Sequence, residues 1–190
     1  MLDVAVITAT SPQGRSGANV VRWFLGQAER RGDLRLDVVD LNRVPLPPFH
    51  PERPPAGASA ATRDLAARIG AADGFVVVTP EYNHAYPAVL KLAVDAVRRE
   101  WAAKPAGFVS YGGQSGGLRA VEQLRLVFAE LHVVSLRDTV SFHRVEGCFG
   151  EDGEPLDPAG VGGAAKVLLD QLIWWGTALR EARAARPYTL

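Results

Sequence analysis

Residues 74–87 read GFVVVTPEYNHAYP, and this stretch decides the fold. Its first five residues form an apolar run of strand length, as expected for a strand buried on both faces of a parallel sheet. Pro80 and Pro87 cannot donate ladder hydrogen bonds, so strand pairing should end near Thr79 and a helix should begin around Pro87. The turn between the prolines would lie at the carboxyl end of a strand, where open parallel sheets bind ligands. The stretch therefore predicts a strand, a rigid platform for a flat cofactor, and a helix.

The bulk composition favours one globular domain over residues 1–190, since 47% of the residues are hydrophobic and 22% are charged. Twenty-one Lys and Arg residues balance 21 Asp and Glu residues, so no net charge favours nucleic acid or an anionic membrane. Small molecules or another copy of the chain are the expected partners. No apolar run is long enough to span a membrane, and Met1 leads directly into a strand, so we expect a cytoplasmic protein.

Metal and disulfide chemistry have little support in the sequence. Cys148 is the only cysteine, which excludes an internal disulfide and a multi-cysteine metal site. The histidines at positions 50, 132 and 143 lack the spacing of metal ligands. We therefore predict no metal site.

Strand patterns and helical patterns alternate along the chain. Strand-like runs occupy residues 2–9, 34–41, 74–78, 106–111, 132–135 and 140–142, and helical patterns occupy 16–31, 59–72, 87–97, 118–131 and about 164–183. A proline-rich loop at 42–57 and a Gly-, Pro- and Asp-rich loop at 144–162 interrupt them. This order predicts an α/β fold: a flavodoxin-like, doubly wound, five-stranded parallel sheet with helices on both faces. The dinucleotide-binding fold competes, but residues 8–17 lack its Gly-x-Gly-x-x-Gly fingerprint.

Three unusual loops follow the first, third and fourth strands, which should end at one edge of the sheet. The first offers hydroxyls, glycine and one guanidinium at a helix amino end, which suits a single phosphate monoester: Thr10, Ser11, Arg15, Ser16 and Gly17. The third offers backbone amides and polar side chains to a flat heterocycle: Pro80, Glu81, Tyr82 and Asn83. The fourth lets backbone approach that ring closely: Ser110, Tyr111, Gly112 and Gly113. A phosphate at one end and a flat ring at the other describe flavin mononucleotide (FMN).

The loops carry a resemblance to a known family. The chain resembles the NAD(P)H-dependent FMN reductases, relatives of flavodoxin that include quinone, chromate and azo-dye reductases, from Leu2 to about Val145. The matching residues are Pro80-Glu81-Tyr82-Asn83 with Pro87, Leu90, Lys91, Ala93 and Asp95, then Ser110-Tyr111-Gly112-Gly113 with Gly116, Gly117 and Arg119. The chain departs from the family pattern at Ala9, Thr10 and Pro12, where relatives usually have Gly-Ser and then an Arg, and at Leu92, where they commonly have Asn. These departures place more of the phosphate binding on Thr10 and Arg15.

The resemblance implies ping-pong chemistry with FMN as cofactor and NAD(P)H as cosubstrate. NAD(P)H would reduce the bound flavin, and a small-molecule electron acceptor would then take its place and the electrons. Backbone N–H groups from Glu81 to Asn83 would stabilise negative charge on the reduced ring, and no side chain need be catalytic. The resemblance also implies a homodimer or homotetramer, for which Trp174 and Trp175 offer a contact surface.

Two other functions and several structural interpretations remain open at this point. A flavodoxin-type electron carrier would share the cofactor, although such carriers tend to be acidic and this chain is neutral. A cofactor-free binding or regulatory protein would fit the altered first turn. Arg15 could be an ordinary surface charge, residues 112–117 a simple turn, and His84 either an exposed loop residue or a substrate contact.

Overall fold

A parallel sheet forms the centre of the computed structural model, which describes residues 1–11, 14–47 and 58–189. Its strands within these residues are β1 (Leu2–Thr8), β2 (Leu34–Asp40), β3 (Gly74–Pro80), β4 (Pro105–Tyr111), β5 (Val134–Ser135) and β6 (Val140–Phe142). The strand order is β2-β1-β3-β4-β5, and β6 also pairs with β4. The predicted flavodoxin-like order is confirmed, with two short strands sharing the fifth position.

The fifth position is divided because the chain leaves the ladder between β5 and β6. The first short strand pairs with Pro105 and Ala106, and the second pairs with residues 109–111 of β4. Between them, the Arg125 guanidinium binds the backbone carbonyls of Leu136 at 2.5 Å and Arg137 at 2.9 Å. An arginine side chain from a neighbouring helix thus binds backbone carbonyls in the segment that separates the two short strands.

Helices cover both faces of the sheet, as predicted. They are α1 (Arg15–Glu29), α2 (Ala60–Ala71), α3 (Ala88–Ala96), α4 (Leu118–Glu130) and α5 (Pro158–Ala185). Successive strand side chains point to opposite faces, so the same strands supply two apolar clusters. One cluster joins the sheet to α1 and α5 through Val4, Val6, Val76, Val78, Phe24, Leu168 and Leu172. The other joins it to α2, α3 and α4 through Ala5, Ile7, Val77, Leu65, Leu90 and Leu124.

The predicted start of the last helix was wrong, whereas the predicted end of β3 was right to within one residue. Helix α5 begins at Pro158, not near Ala164, because the Asp157 carboxylate accepts the Gly160 N–H at 2.9 Å and caps the helix. Strand β3 continues one residue beyond Thr79 and pairs Pro80 with Tyr111. Pro80 has no N–H group to donate to a neighbouring strand. No hydrogen bond to β1 is lost, because β1 ends opposite Val78.

Only part of the proline-rich loop lies within the described residues. Leu41–Arg43 form a short 3-10 helix after β2, and residues 44–47 continue from it without regular structure. The proline-rich loop predicted at 42–57 falls mainly on residues 48–57, which lie outside the described part of the chain. Within the described residues, no helix has the length and apolar character needed to cross a membrane.

Candidate functional site

The three loops meet at one edge of the sheet because β1, β3 and β4 are neighbours and end together. In the sheet, β2 lies on one side of β1 and β3 lies on the other. The strand order therefore reverses at β1, and this edge of the sheet contains the reversal point. The Ala9 N–H donates to the Val78 carbonyl at 3.0 Å, which joins the first loop to β3. The Glu81 N–H donates to the Tyr111 carbonyl at 3.0 Å, which joins the third loop to the fourth. The predicted juxtaposition of the loops is therefore present.

The first loop presents an open helix end. The N-cap of α1 is Gly14, which has no side chain to cap the helix, and the first turn contains no acidic residue. Arg15 is exposed, and its guanidinium donates to the Glu151 carbonyl at 3.2 Å. Thr10 and Ser16 are half-buried nearby. An uncapped helix amino end with adjacent hydroxyls is a site for an anion such as a phosphate group.

Other contacts of the first loop hold its backbone. The Thr10 carbonyl accepts from Asn42 Nδ2 at 2.8 Å, and the Ser11 carbonyl accepts from the Gly14 N–H at 3.1 Å. The half-buried Ser11 therefore contributes its backbone to the turn, and its hydroxyl has no partner among the described residues. Pro12, one of the departures from the family pattern, lies outside the described residues.

Gly17 and Tyr111 bring the first and fourth loops into contact. A Cβ added at Gly17 would overlap the Tyr111 hydroxyl and lie 3.1 Å from Thr10 Cβ. Tyr111 is 7% exposed, and its burial, with a smaller contribution from Tyr82, raises its pKa. The Tyr111 hydroxyl is thus a neutral group set against the amino end of α1.

The third loop is a tight turn that uses most of its own N–H groups. The Tyr82 N–H donates to the Ala85 carbonyl at 2.8 Å, and the Ala85 N–H donates back at 3.1 Å. Asn83 and His84 have positive φ values of 49° and 77°, which the two central residues of such a turn require. The expectation that Glu81, Tyr82 and Asn83 all present free N–H groups is therefore wrong for the first two. The Asn83 N–H has no partner within the described residues, and Tyr82 is 49% exposed.

The fourth loop is held from inside by serine hydroxyls. Ser110 is fully buried, and its hydroxyl donates to the Gly116 carbonyl at 2.8 Å, as does the Ser141 hydroxyl. The Gly112 N–H donates to the Phe142 carbonyl at 3.2 Å. Gly113 is exposed, and a Cβ there would meet nothing within 4 Å. Ser110 thus shapes the loop and directs its hydroxyl inward, Gly112 is held on both of its backbone groups, and Gly113 is the open position.

Two functional contacts were missed by the sequence analysis. The Glu81 carboxylate, for which the sequence predicted no contact, binds Arg119, whose Nε donates to Oε1 at 2.6 Å. Burial alone would raise the pKa of Glu81, but hydrogen bonds from Ser115 and Arg119 outweigh it and hold the pKa below its usual value. Gln123 Nε2 donates to the His84 carbonyl at 2.8 Å. Arg119 and Gln123 are four residues apart on a helix predicted directly after the fourth loop. This spacing places both on one face of the helix and could have indicated that they bind the same neighbouring loop.

The residues at this edge fit FMN. The open amino end of α1 supplies N–H groups, hydroxyls and a guanidinium, which is the donor set for a phosphate monoester. The exposed Tyr82, the Asn83 N–H and the open backbone at Gly113 provide aromatic and polar groups for a flat ring. A depression of about 440 Å³ lies outside the three loops, beside β2 and α2, and is lined by residues such as Asp40 and Arg68.

Comparison with known proteins agrees with this geometry. The sequence matches the family described as NADPH-dependent FMN reductase over residues 2–147. It is 36% identical over 119 residues to an NAD(P)H-dependent FMN reductase of Schizosaccharomyces pombe, covering 60% of each chain. It is 31% identical over 164 residues to a probable NADPH:quinone oxidoreductase of Oryza sativa subsp. japonica, covering 83% of each. The chain thus spans less than two thirds of the length of the S. pombe relative.

A solved structure shares the fold. The flavoenzyme NAD(P)H:(acceptor) oxidoreductase of Paracoccus denitrificans superposes with a TM-score of 0.75 at 22% identity, covering 94% of this chain and 98% of the other. The family match extends from the first strand to the residues just beyond β6 and so includes all three loops of the candidate site. On this match, the chain belongs to the NADPH-dependent FMN reductase family.

Proposed function

We propose that the chain binds FMN and uses NAD(P)H to reduce small electrophilic acceptors such as quinones or free flavin. The observation that carries the proposal is the meeting of an open helix end, an aromatic turn and a glycine loop at the reversal point of the sheet. The similar proteins named above as FMN reductase, quinone oxidoreductase and NAD(P)H:(acceptor) oxidoreductase support it. The balanced charge of the chain favours an enzyme over a carrier that docks by charge.

The first loop would hold the phosphate group. We assign this role to the hydroxyls and backbone of Thr10, Ser11 and Ser16, the backbone of Gly17 and the guanidinium of Arg15. Arg15 is exposed and makes a single hydrogen bond to a backbone carbonyl among the described residues, so it can turn toward an anion at little cost. The Tyr111 hydroxyl, set against Gly17, would complete the wall between the phosphate and the ring.

The third and fourth loops would hold the ring. Bound FMN supplies two-electron chemistry, in which electrons arrive from NAD(P)H and leave to the acceptor in separate half-reactions. The Asn83 N–H would donate toward the part of the ring that becomes negative, and Tyr82 would border its edge. The backbone of Pro80, Gly112 and Gly113 would define the adjoining rim. No side chain in this arrangement is assigned as a proton donor.

A homodimer or homotetramer is part of the proposal. Trp174 and Trp175 lie on α5 with their rings in edge-to-face contact and are 64% and 39% exposed. Exposed tryptophans on a helix face are typical of protein contact surfaces. Light scattering on wild type and a Trp174→Lys variant would test this, with a smaller assembly expected for the variant and an unchanged one contradicting it.

Steady-state oxidation of NADPH or NADH by the purified protein tests the proposed reaction. With added FMN and a quinone, we expect turnover that depends on both. Flavin binding without turnover would contradict the enzyme and favour the carrier, and neither binding nor turnover would contradict both. A Lys166→Ala variant, altered at an exposed ion pair on α5, serves as the control and should match wild type.

A further inference from the structure

Glu81 joins the loop after β3 to the segment after β4. Its side chain is 5% exposed, with Oε1 accepting from Arg119 Nε at 2.6 Å and Oε2 accepting from the Arg119 backbone N–H at 3.2 Å. Ser115 provides a further hydrogen bond to the carboxylate. The Glu81 carboxylate is nearly buried and receives its hydrogen bonds from another part of the chain. Unlike the carboxylate of an exposed ion pair, it is therefore held in one position and in its charged form.

Helix α4 receives its amino-terminal cap from this carboxylate. Its N-cap residue is Gly117, which has a left-handed φ of 85° and no side chain that could accept a hydrogen bond. Arg119 is the second residue of the helix, where an N-cap side chain normally binds the N–H group. Glu81 therefore supplies from another loop the acceptor that Gly117 lacks, and its negative charge lies at the positive end of the helix dipole.

The same helix holds the turn of the third loop at a second point. Gln123 lies one turn beyond Arg119, and its side-chain amide donates to the His84 carbonyl at 2.8 Å. Glu81 also donates its own N–H to the Tyr111 carbonyl, and its Cβ lies 3.5 Å from the place where a Cβ on Gly112 would be. The turn is thus attached to α4 at Glu81, before its two left-handed residues, and at His84, the second of them.

We propose that Glu81 is a positioning residue whose ion pair with Arg119 sets the turn at residues 82–85 and the glycine loop after β4 in the arrangement that receives a flat ring. The inference rests on the proposed function, because the ring is that of FMN. Glu81 acts through the two loops and contacts no reacting atom. Its removal should therefore weaken binding of the ring and leave binding of the phosphate unchanged.

Titration with FMN and with riboflavin, which lacks the phosphate, separates the two ends of the ligand. For Glu81→Ala we expect both dissociation constants to rise by the same factor, about tenfold. Glu81→Gln keeps an acceptor oxygen for the Arg119 N–H and should recover part of the loss. Arg15→Ala should weaken FMN alone, and Lys166→Ala should weaken neither. Wild-type dissociation constants in Glu81→Ala, or a rise for FMN alone, would overturn the proposal.

Amide hydrogen exchange in the flavin-free protein provides a test that does not depend on flavin binding. In Glu81→Ala the N–H groups of Tyr82 and Ala85, which close the turn, should exchange faster than in wild type. The Leu136 N–H, which donates to Ala106 in the sheet, should not change. Unchanged exchange at Tyr82 and Ala85 would overturn the proposal. If wild type bound neither flavin, the proposed function would fail, and this exchange comparison would decide the role of Glu81 alone.

Discussion

The phosphate end and the ring end of the candidate site are built differently. At the phosphate end, the contacts of Thr10 and Arg15 are single hydrogen bonds between exposed groups and backbone carbonyls. At the ring end, the nearly buried Glu81 carboxylate binds Arg119 of α4 at two points, and the buried Ser110 hydroxyl binds Gly116 within the fourth loop. A phosphate can be bound by a helix end and rotatable side chains, whereas a flat ring needs a rim of fixed shape. The contacts that fix the shape of the site before a ligand binds therefore lie mostly where the ring would bind.

The largest effect is expected at Gly117, on the ring side. Gly117→Ala would place a Cβ 2.6 Å from Ser110 Cβ and 2.8 Å from the Tyr111 backbone nitrogen, at a φ of 85°. We expect a loss of about 3 kcal/mol in the free energy of unfolding, because steric overlap and backbone strain add together. Urea denaturation measures this. Gly113→Ala is the matched control in the same loop and should change stability little, since a Cβ there meets nothing within 4 Å.

A smaller effect is expected at Gly17, on the phosphate side. Gly17→Ala would overlap the hydroxyl of the buried Tyr111, which can move only partly, so we expect a loss of about 1–2 kcal/mol and weaker FMN binding. Gly26→Ala in the same helix meets nothing within 4 Å and should stabilise the protein by about 0.5–1 kcal/mol. Thermal unfolding with and without FMN would show both. An equal response of the two variants would contradict the close contact of Gly17 with Tyr111.

The smallest effect concerns Lys104, at the end of β4 away from both binding regions. Burial, and then the charge of Arg183, lowers the pKa of Lys104 to about 8, although Asp73 and Glu100 oppose the shift. Its ammonium group donates to the carbonyls of Ile69 and Gly70. Above pH 8 the folded protein loses this proton, while the unfolded chain keeps it to about pH 10.4. The unfolded state then binds more protons, so this group makes stability rise with pH across that window.

A Lys104→Met variant would test this pH dependence. The free energy of unfolding of wild type, relative to that of the variant, should increase as pH rises from 8 to about 10. Urea denaturation at several pH values measures it. FMN binding at pH 7 should be the same in both proteins, because Lys104 contacts neither end of the site. A pH-independent difference would contradict the lowered pKa.

The sequence predicted the sheet and the meeting of the loops because those features depend on local patterns. Apolar runs of strand length and helical periodicity determine β1 to β4 and the helices between them, and Pro87 marks the start of α3. The early start of α5 was missed because the glycines after Pro158 hide a helix that Asp157 caps. Both short strands of the fifth position were predicted, but the binding of the segment between them by Arg125 was not, because Arg125 belongs to another element.

The candidate site was predicted in composition but not in the roles of its residues. Tyr82 is exposed in a tight turn and Gly113 is exposed in a glycine loop, and both turns were predicted because turn chemistry is local. Glu81 and Ser110 were predicted to offer backbone to the cofactor, and the binding of their side chains to Arg119 and Gly116 was not predicted. The first contact joins residues 38 apart in the chain, and the second lies within an irregular loop, so no helix or strand pattern specifies either. Side-chain direction within a loop therefore required the structure.

Equilibrium titration of the flavin-free protein with FMN tests the central claim most directly. We expect saturable quenching of flavin fluorescence at one FMN per chain, with weaker binding of riboflavin because the open end of α1 would then have no phosphate to hold. The absence of saturable quenching by FMN would contradict it. Equal affinity for FMN and riboflavin would show that the first loop does not bind the phosphate.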